Sequence, residues 1–380
     1  MNNTKVMPPD MGSGSSPVLR ILRPDGQLEK DAVDPKIPTE ELLGAYQNMV
    51  LTRLLDEKLV ALQRQGRLGT YVSCAGQEAT QVGVALGITT GGGQRAKRDW
   101  VFPMYRDLGI VVQMGVPLDS ILDRLFSNEE DKSLGRDLPN AYGWRDYRIF
   151  SLAAPIASHV CPAVGFAMAA RIRNDNDVAT VATFGDGATS SSEFHAGMNF
   201  AGVFNAPVIF VCENNQYAIS VPVSQQTASE SIAIKARAYG FEGIKVDGND
   251  LLAVYSAVKT AAEKARRGDG PTLIECFTYR IGAHSTSDDW KKYRSQEEVD
   301  SWRARDPLPR VMKYLEEERK SWSAERESEL KARLDSEITR ATQRAESVPP
   351  PPLATMFEDV YSEPTWNVAE GKREAEESQE

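Results

Sequence analysis

The chain reads as an α/β protein built on a mostly parallel sheet with helices on both faces. Three observations carry that reading. Residues 178–184 and 207–212 are short, continuous runs rich in β-branched side chains, the pattern of strands buried on both faces. Residues 190–201 between them mix small and spaced apolar positions and are long enough for the crossover helix that a parallel pair requires. Both runs end in polar residues, Gly185-Asp186-Gly187 and Glu213-Asn214-Asn215-Gln216-Tyr217. Open α/β sheets bind ligands at the carboxyl edge, so Asp186 and Asn215 are expected to meet there despite their separation in sequence.

The remaining elements follow in chain order. Residues 1–17 are rich in Asn, Pro, Gly and Ser, without the apolar stretch of a secretory signal, and predict a disordered lead. Thr39 is placed to cap a helix with Glu40 and Glu41 in its first turn, and Leu42, Leu43, Tyr46, Met49, Val50, Leu54, Leu55, Leu59 and Leu62 recur at helical spacing. Beyond Gly66, a loop through 71–76 feeds a second helix to Leu86, which Gly91-Gly92-Gly93 breaks. Residues 100–107 approach a polar turn as a strand, 115–126 form a helix, and 127–147, punctuated by Gly and Pro, form a long loop. Further strands are expected at 241–246 and 271–278, with an amphipathic helix at 250–267 between them. From 295 to 349 the chain is highly charged and helical, and the Pro349 to Pro352 run opens a short tail whose acidic end is expected to be disordered. The resulting division is a lead at 1–17, a main α/β domain at 18–300, a charged helical extension at 301–347 and a Pro-rich, acidic tail at 348–380.

Composition excludes several classes. A chain of 380 residues that is 41% hydrophobic and 26% charged is that of a globular protein with a large core. The net charge of −10, from 54 acidic and 44 basic residues without a dense basic block, argues against a nucleic-acid partner. Residues 151–170 are small and apolar but interrupted by Pro155, Ser158, His159 and Pro162, so no membrane span is expected. Cys74, Cys161, Cys212 and Cys276 are far apart and read as buried structural thiols in a reducing, cytoplasmic setting.

The polar strand ends carry the chemistry. A hard divalent cation such as Mg²⁺ takes oxygen ligands and shares them between protein and phosphate groups. Asp186 offers a charged oxygen, Asn215 a neutral one, and the Tyr217 backbone carbonyl a third. Gly185 and Gly187 permit a tight turn close to an anion, and a helix starting after Thr189 would aim free amides at it. Gly-Asp-Gly alone is an ordinary turn after a strand. Followed by a crossover helix, a second strand and Asn214-Asn215, it resembles the thiamine diphosphate motif.

The resemblance extends from about Pro17 to Trp366. Gly66-Arg67-Leu68-Gly69, Ala75-Gly76-Gln77-Glu78-Ala79, Val101-Phe102-Pro103-Met104-Tyr105-Arg106-Asp107, Ala154-Pro155-Ile156-Ala157-Ser158-His159, Gly185 to Thr189, Glu213-Asn214-Asn215 and Tyr279 to Asp289 stand in the order seen in one family. The chain resembles the α subunit of the thiamine-diphosphate-dependent dehydrogenase component of 2-oxo acid dehydrogenase complexes, and so implies the thiamine-diphosphate-binding fold. By that resemblance Asp186, Asn215 and the Tyr217 carbonyl hold Mg²⁺, and Tyr105, Arg106 and Arg280 bind the diphosphate. Gly187 and Ala188 belong to the same cofactor-binding segment. Ala154 and Ile156 meet the aminopyrimidine, the Ile156 side chain propping the cofactor in its bent form. His284 is the catalytic loop histidine, a group expected to titrate near neutrality beside the reactive carbon. His159 stands behind the cofactor, while His195 is a packed helix residue and Glu193 is solvated.

The activity implied is oxidative decarboxylation of a small branched-chain 2-oxo acid of the 2-oxoisovalerate type, with acyl transfer to the lipoyl group of an acyltransferase core. The glutamate that activates the aminopyrimidine comes, in this family, from a separate β subunit in an α₂β₂ assembly. The Ala154 to His159 run, the His284 to Asp289 run and the 356–360 tail look like the branched-chain type. Gly66-Arg67-Leu68-Gly69 and Gly76-Gln77-Glu78-Ala79 look equally like the pyruvate type, which is the alternative. A non-catalytic assembly subunit is the reading from a different class, opposed by the intact Asp186, Asn215, Arg106, Arg280 and His284.

Overall fold

A computed structural model describes residues 17–89, 99–152, 154–175, 177–359 and 361–378. In chain order the elements are β1 (Val18–Leu19), α1 (Thr39–Arg64), α2 (Glu78–Thr89), β2 (Trp100–Phe102), α3 (Leu108–Gln113), α4 (Leu118–Phe126), α5 (Val160–Ile172), β3 (Thr180–Gly185), α6 (Ser192–Phe204), β4 (Val208–Asn214), β5 (Tyr217–Ala218), β6 (Val221–Pro222), α7 (Val223–Gln226), β7 (Glu242–Asp247), α8 (Leu251–Arg266), β8 (Thr272–Phe277), α9 (Gln296–Arg303), α10 (Pro307–Glu317), α11 (Ala324–Ser347) and α12 (Trp366–Glu377). Six strands form one sheet in the order β1-β7-β8-β4-β3-β2, every neighbouring pair parallel. The expected α/β architecture is therefore present.

Strand periodicity sorts the core into two layers. Val181, Ile209, Val211, Ile274 and Cys276 face α1, α2 and α8, whereas Ala182, Phe184, Val208, Phe210 and Cys212 face α5 and α6. Helices thus cover both faces, and α6 is the crossover between β3 and β4. Helix α2 approaches α8 closely enough that a Cβ on Gly87 would lie 2.8 Å from Val258 Cβ. The charged extension is anchored by its apolar stripe, with Val311, Tyr314, Leu315, Leu330 and Leu334 joining the core that contains α1.

Several expectations are corrected. Thr39 does not cap α1: it is the first helical residue, Pro38 holds the cap position without a side-chain bond, and the Thr39 hydroxyl accepts instead from Arg319. Strand β1 is two residues long, too short to leave a periodic signal; it is held by Asp250, whose Oδ2 accepts from the Ile21 and Leu22 amides at 2.6 Å each. The β5–β6 hairpin is equally short. The acidic end, expected to be disordered, forms α12, which packs on the turn Leu353–Phe357, with Gly371 against the Phe357 ring. Cys161 is exposed; Cys74, Cys212 and Cys276 are buried as expected. The expected lead lies, apart from Pro17, outside the described residues, as does the Gly91 to Gly93 break. Among the described residues no helix is long and apolar enough to cross a membrane.

Candidate active site

Four strand ends converge on the carboxyl edge. After β2, the Met104 amide donates to Asp107 Oδ2 at 2.8 Å and Thr183 Oγ1 at 3.1 Å, fixing the turn that presents Tyr105 and Arg106. After β3 a 3₁₀ turn, Asp186–Ser190, is pinned by Thr189 Oγ1 donating to the Asp186 carbonyl at 2.9 Å. After β4, Asn215 Nδ2 donates to Gln77 Oε1 at 3.1 Å, so a residue from the start of α2 sets the amide plane of Asn215. After β8 come Arg280 and the loop that carries His284. These ends enclose one cleft, and it is lined by every residue the sequence pointed to: Tyr105, Arg106, Ala154, Ile156, Asp186, Gly187, Ala188, Asn215, Tyr217, Arg280 and His284.

The electrostatics of the cleft are unbalanced. Arg106 is 2% exposed and Arg280 1% exposed, yet among the described residues neither forms an ion pair with a carboxylate. Arg106 donates to the carbonyls of Ser73 and, at 3.1 Å, His284. Arg280 donates to the Tyr217 and Ile219 carbonyls at 3.1 and 2.6 Å and to the Tyr293 hydroxyl at 3.1 Å, and its buried Nε has no partner. Burial and the neighbouring Arg106 push Arg280 down to about 10, so it remains a cation at neutral pH. Two buried forked donors side by side favour an anion such as a phosphate or carboxylate group.

His284 Nδ1 lies 3.3 Å from Arg106 Nη2 and 3.3 Å from Arg280 Nη1. Both guanidinium groups can only donate, so Nδ1 must accept and the ring carries its proton on Nε2. Burial, then Arg106 and Arg280, push the imidazole down to about 4. The expected group titrating near neutrality is thereby corrected to a neutral imidazole with one N–H, because two cations face it and Asp288 bonds only its backbone amide, at 2.7 Å.

Asp186 is 2% exposed, and burial raises its pKa while the Gln226 amide, 2.8 Å away, opposes that rise. It is the single carboxylate among the described residues that line the cleft. Among the described residues no group of three or more His, Cys, Asp or Glu could hold a metal unaided. A cation at Asp186, the Asn215 side-chain oxygen and the Tyr217 carbonyl would have to complete its shell with water and phosphate oxygens, which is how Mg²⁺ ordinarily binds. The residues present therefore fit a metal and diphosphate pair.

The expected roles of the glycines are revised. Gly185 is extended, at φ −81° and ψ 167°, with open space where a Cβ would stand. Gly187 is required by close approach, since a Cβ there would lie 2.7 Å from Ala218 Cβ. At the start of α6, Ser191 Oγ accepts from the Phe194 amide at 3.2 Å, and the residues lining the cleft here belong to the 3₁₀ turn and not to α6.

His159 is buried and lines the cleft, its Nε2 donating to the Thr183 carbonyl at 2.7 Å while burial lowers its pKa. His195 is exposed rather than packed, bonded to the Tyr239 hydroxyl. Glu193 is exposed as expected. Gln77 stood within a quoted run but without a role, while Gln226 and Asp56 carry no motif signal. Asp56 is buried and accepts from Tyr71 Oη, Ser73 Oγ and the Cys74 amide at 2.8, 2.7 and 2.8 Å.

The chain is 43% identical over 360 residues to the 3-methyl-2-oxobutanoate dehydrogenase subunit alpha of Mycobacterium tuberculosis, covering 91% of this chain and 90% of that protein. It is 40% identical over 355 residues to the mitochondrial 2-oxoisovalerate dehydrogenase subunit alpha 2 of Arabidopsis thaliana, covering 93% and 73%. The corresponding Mus musculus subunit is 37% identical over 348 residues, covering 91% and 77%. The family described as "Dehydrogenase E1 component" matches residues 46–354, and the chain belongs to that family.

Proposed function

We propose that this chain is the α subunit of a thiamine-diphosphate-dependent dehydrogenase that decarboxylates a branched-chain 2-oxo acid and passes the acyl group to the lipoyl group of an acyltransferase core. The observation that carries the cofactor assignment is the convergence of Arg106, Arg280 and His284 beside Asp186 and Asn215, with two buried guanidinium groups lacking carboxylate partners. The branched-chain assignment rests on the names of the relatives, which are of that type.

In this reading Asp186, Asn215 and the Tyr217 carbonyl hold Mg²⁺, and Tyr105, Arg106 and Arg280 hold the diphosphate. Ala154, Ile156, Gly187 and Ala188 form the walls against the rest of the cofactor. Bound thiamine diphosphate supplies the nucleophilic carbon and then the electron sink for decarboxylation. The chain's own residues do the rest. His284 keeps its proton on Nε2 through the physiological range and offers it as a fixed donor to developing charge. Its Nδ1 is held by both arginines, so the ring orientation is set before substrate arrives.

The cleft needs a second chain. Among the described residues its lining contains no carboxylate beyond Asp186 to activate the aminopyrimidine, and the apolar residues Ile156 and Ile219 of that lining are each 54% exposed. A β subunit completing an α₂β₂ assembly supplies both the missing acid and the cover. A reducing, cytoplasmic compartment suits three buried thiols.

The test is co-expression with a β subunit of the same component, followed by dye reduction with 2-oxoisovalerate, pyruvate and 2-oxoglutarate, with and without thiamine diphosphate and Mg²⁺. Preference for 2-oxoisovalerate is expected. Preference for pyruvate would overturn the substrate and keep the mechanism, and a well-formed tetramer without cofactor-dependent turnover would overturn the catalytic reading.

A further inference from the structure

Gln226 ends α7, at the far end of the β5–β6 hairpin. Its amide nitrogen donates to Asp186 Oδ2 at 2.8 Å and to the Val221 carbonyl at 2.9 Å. A carboxylate and a peptide carbonyl can only accept, so the nitrogen must face them and the amide oxygen must turn away. That oxygen is buried and lacks a partner. Leaving a buried acceptor unpaired is costly, so the orientation of this amide is set by Asp186 and the hairpin rather than by its own satisfaction. Among the described residues Gln226 is the one side chain that donates to Asp186.

The hairpin is held at two further points. Arg280 donates to the Tyr217 and Ile219 carbonyls, and Ala218 packs against Gly187, where not even a Cβ could be added. One wall of the cleft is thus tied to the Asp186 turn by a packing contact and by a single bifurcating amide nitrogen. A carboxylate ligand is usually fixed by a hydrogen bond to its other oxygen, and losing that bond weakens metal binding.

We infer that Gln226 is a positioning residue for the Asp186 carboxylate, coupling the β5–β6 hairpin to the divalent-cation site. The inference rests on Asp186 and Asn215 being cation ligands. Gln226 is not among the residues lining the cleft; it fixes which Asp186 oxygen is free and which way it points.

The experiment titrates Mn²⁺ by electron paramagnetic resonance into the α₂β₂ protein with thiamine diphosphate present, comparing the natural chain with Gln226→Ala and Gln226→Met. Methionine keeps the length of the side chain and removes the donor. Both variants should weaken Mn²⁺ binding about 10- to 100-fold, the range expected for a lost outer partner of a metal ligand. Turnover should return to the natural level at saturating Mg²⁺, a rescue that a general folding defect would not show. Mn²⁺ affinity within twofold of the natural chain in the methionine variant would overturn the inference, as would a loss of turnover that Mg²⁺ does not restore. Failure of the unaltered tetramer to bind Mn²⁺ would overturn the underlying metal reading as well, and is thereby distinguished.

Discussion

Arg106 and His284 are joined at two points, Nη2 of the arginine lying 3.1 Å from the histidine carbonyl and 3.3 Å from its Nδ1. One bond fixes the loop and the other fixes the tautomer. Together they place a neutral imidazole, with a single N–H, beside the buried Arg106 guanidinium.

His284 should therefore show no titration in the neutral range. Its pKa falls from 6.5 in the unfolded chain to about 4 in the folded one, so between those values the unfolded state binds more protons. Its contribution to stability is complete above pH 6.5 and declines as pH falls toward 4. Thermal unfolding of the natural chain and His284→Asn across that window should show the natural chain losing stability relative to the variant on acidification. The variant, tested as assembled tetramer, should lose about 10²- to 10⁴-fold in kcat, the usual contribution of a positioned proton donor.

Asp56 supports the cleft from beneath. It holds Tyr71, Ser73 and Cys74, whose loop in turn gives the Ser73 carbonyl to Arg106 and the Tyr71 carbonyl to the Thr286 amide at 3.1 Å. Asp56→Ala orphans three donors, each costing about 1–3 kcal/mol if left unsatisfied. Denaturant unfolding should show a loss of several kcal/mol, and cofactor titration a weaker affinity in whatever folded protein remains.

Gly187→Val should separate cofactor binding from folding. A branched side chain cannot fit where even a Cβ would stand 2.7 Å from Ala218. Relief requires the short β5–β6 hairpin to move, and overpacking of this kind costs about 1–3 kcal/mol. The expected result is a tetramer that assembles but binds thiamine diphosphate at least about tenfold more weakly, read by fluorescence quenching, since about 1.4 kcal/mol is a factor of ten.

Arg280→Lys keeps the charge and loses the fork. The guanidinium spans the carbonyls of Tyr217 and Ile219 and the hydroxyl of Tyr293, which one ammonium cannot reach together. Losing a charged hydrogen bond costs about 1.5–3 kcal/mol. Cofactor affinity should fall accordingly, and an unchanged dissociation constant would remove Arg280 from the binding site.

Buried apolar runs made β3, β4 and β8 legible, because strands covered on both faces need continuous apolar sequence. The two polar strand ends were legible for the same reason, since a parallel crossover leaves both on one edge. Strand β1 and the β5–β6 hairpin were not, being two residues each and held by side chains from elsewhere, Asp250 in one case and Arg280 in the other. Thr39 misled because a threonine before an acidic turn is the usual cap, whereas Arg319, 280 positions away, takes its hydroxyl.

The sequence by itself determined the sheet, the edge at which the site lies and the residue types gathered there, because those follow from periodicity, strand ends and motif order. Tertiary structure alone decided how these residues act. The protonation of His284 is set by burial and then by two arginines brought in from the ends of β2 and β8, and the orientation of Asp186 by a glutamine from α7. Such states arise from burial and from charges that become neighbours only when the strands are assembled, so no local stretch of sequence contains them.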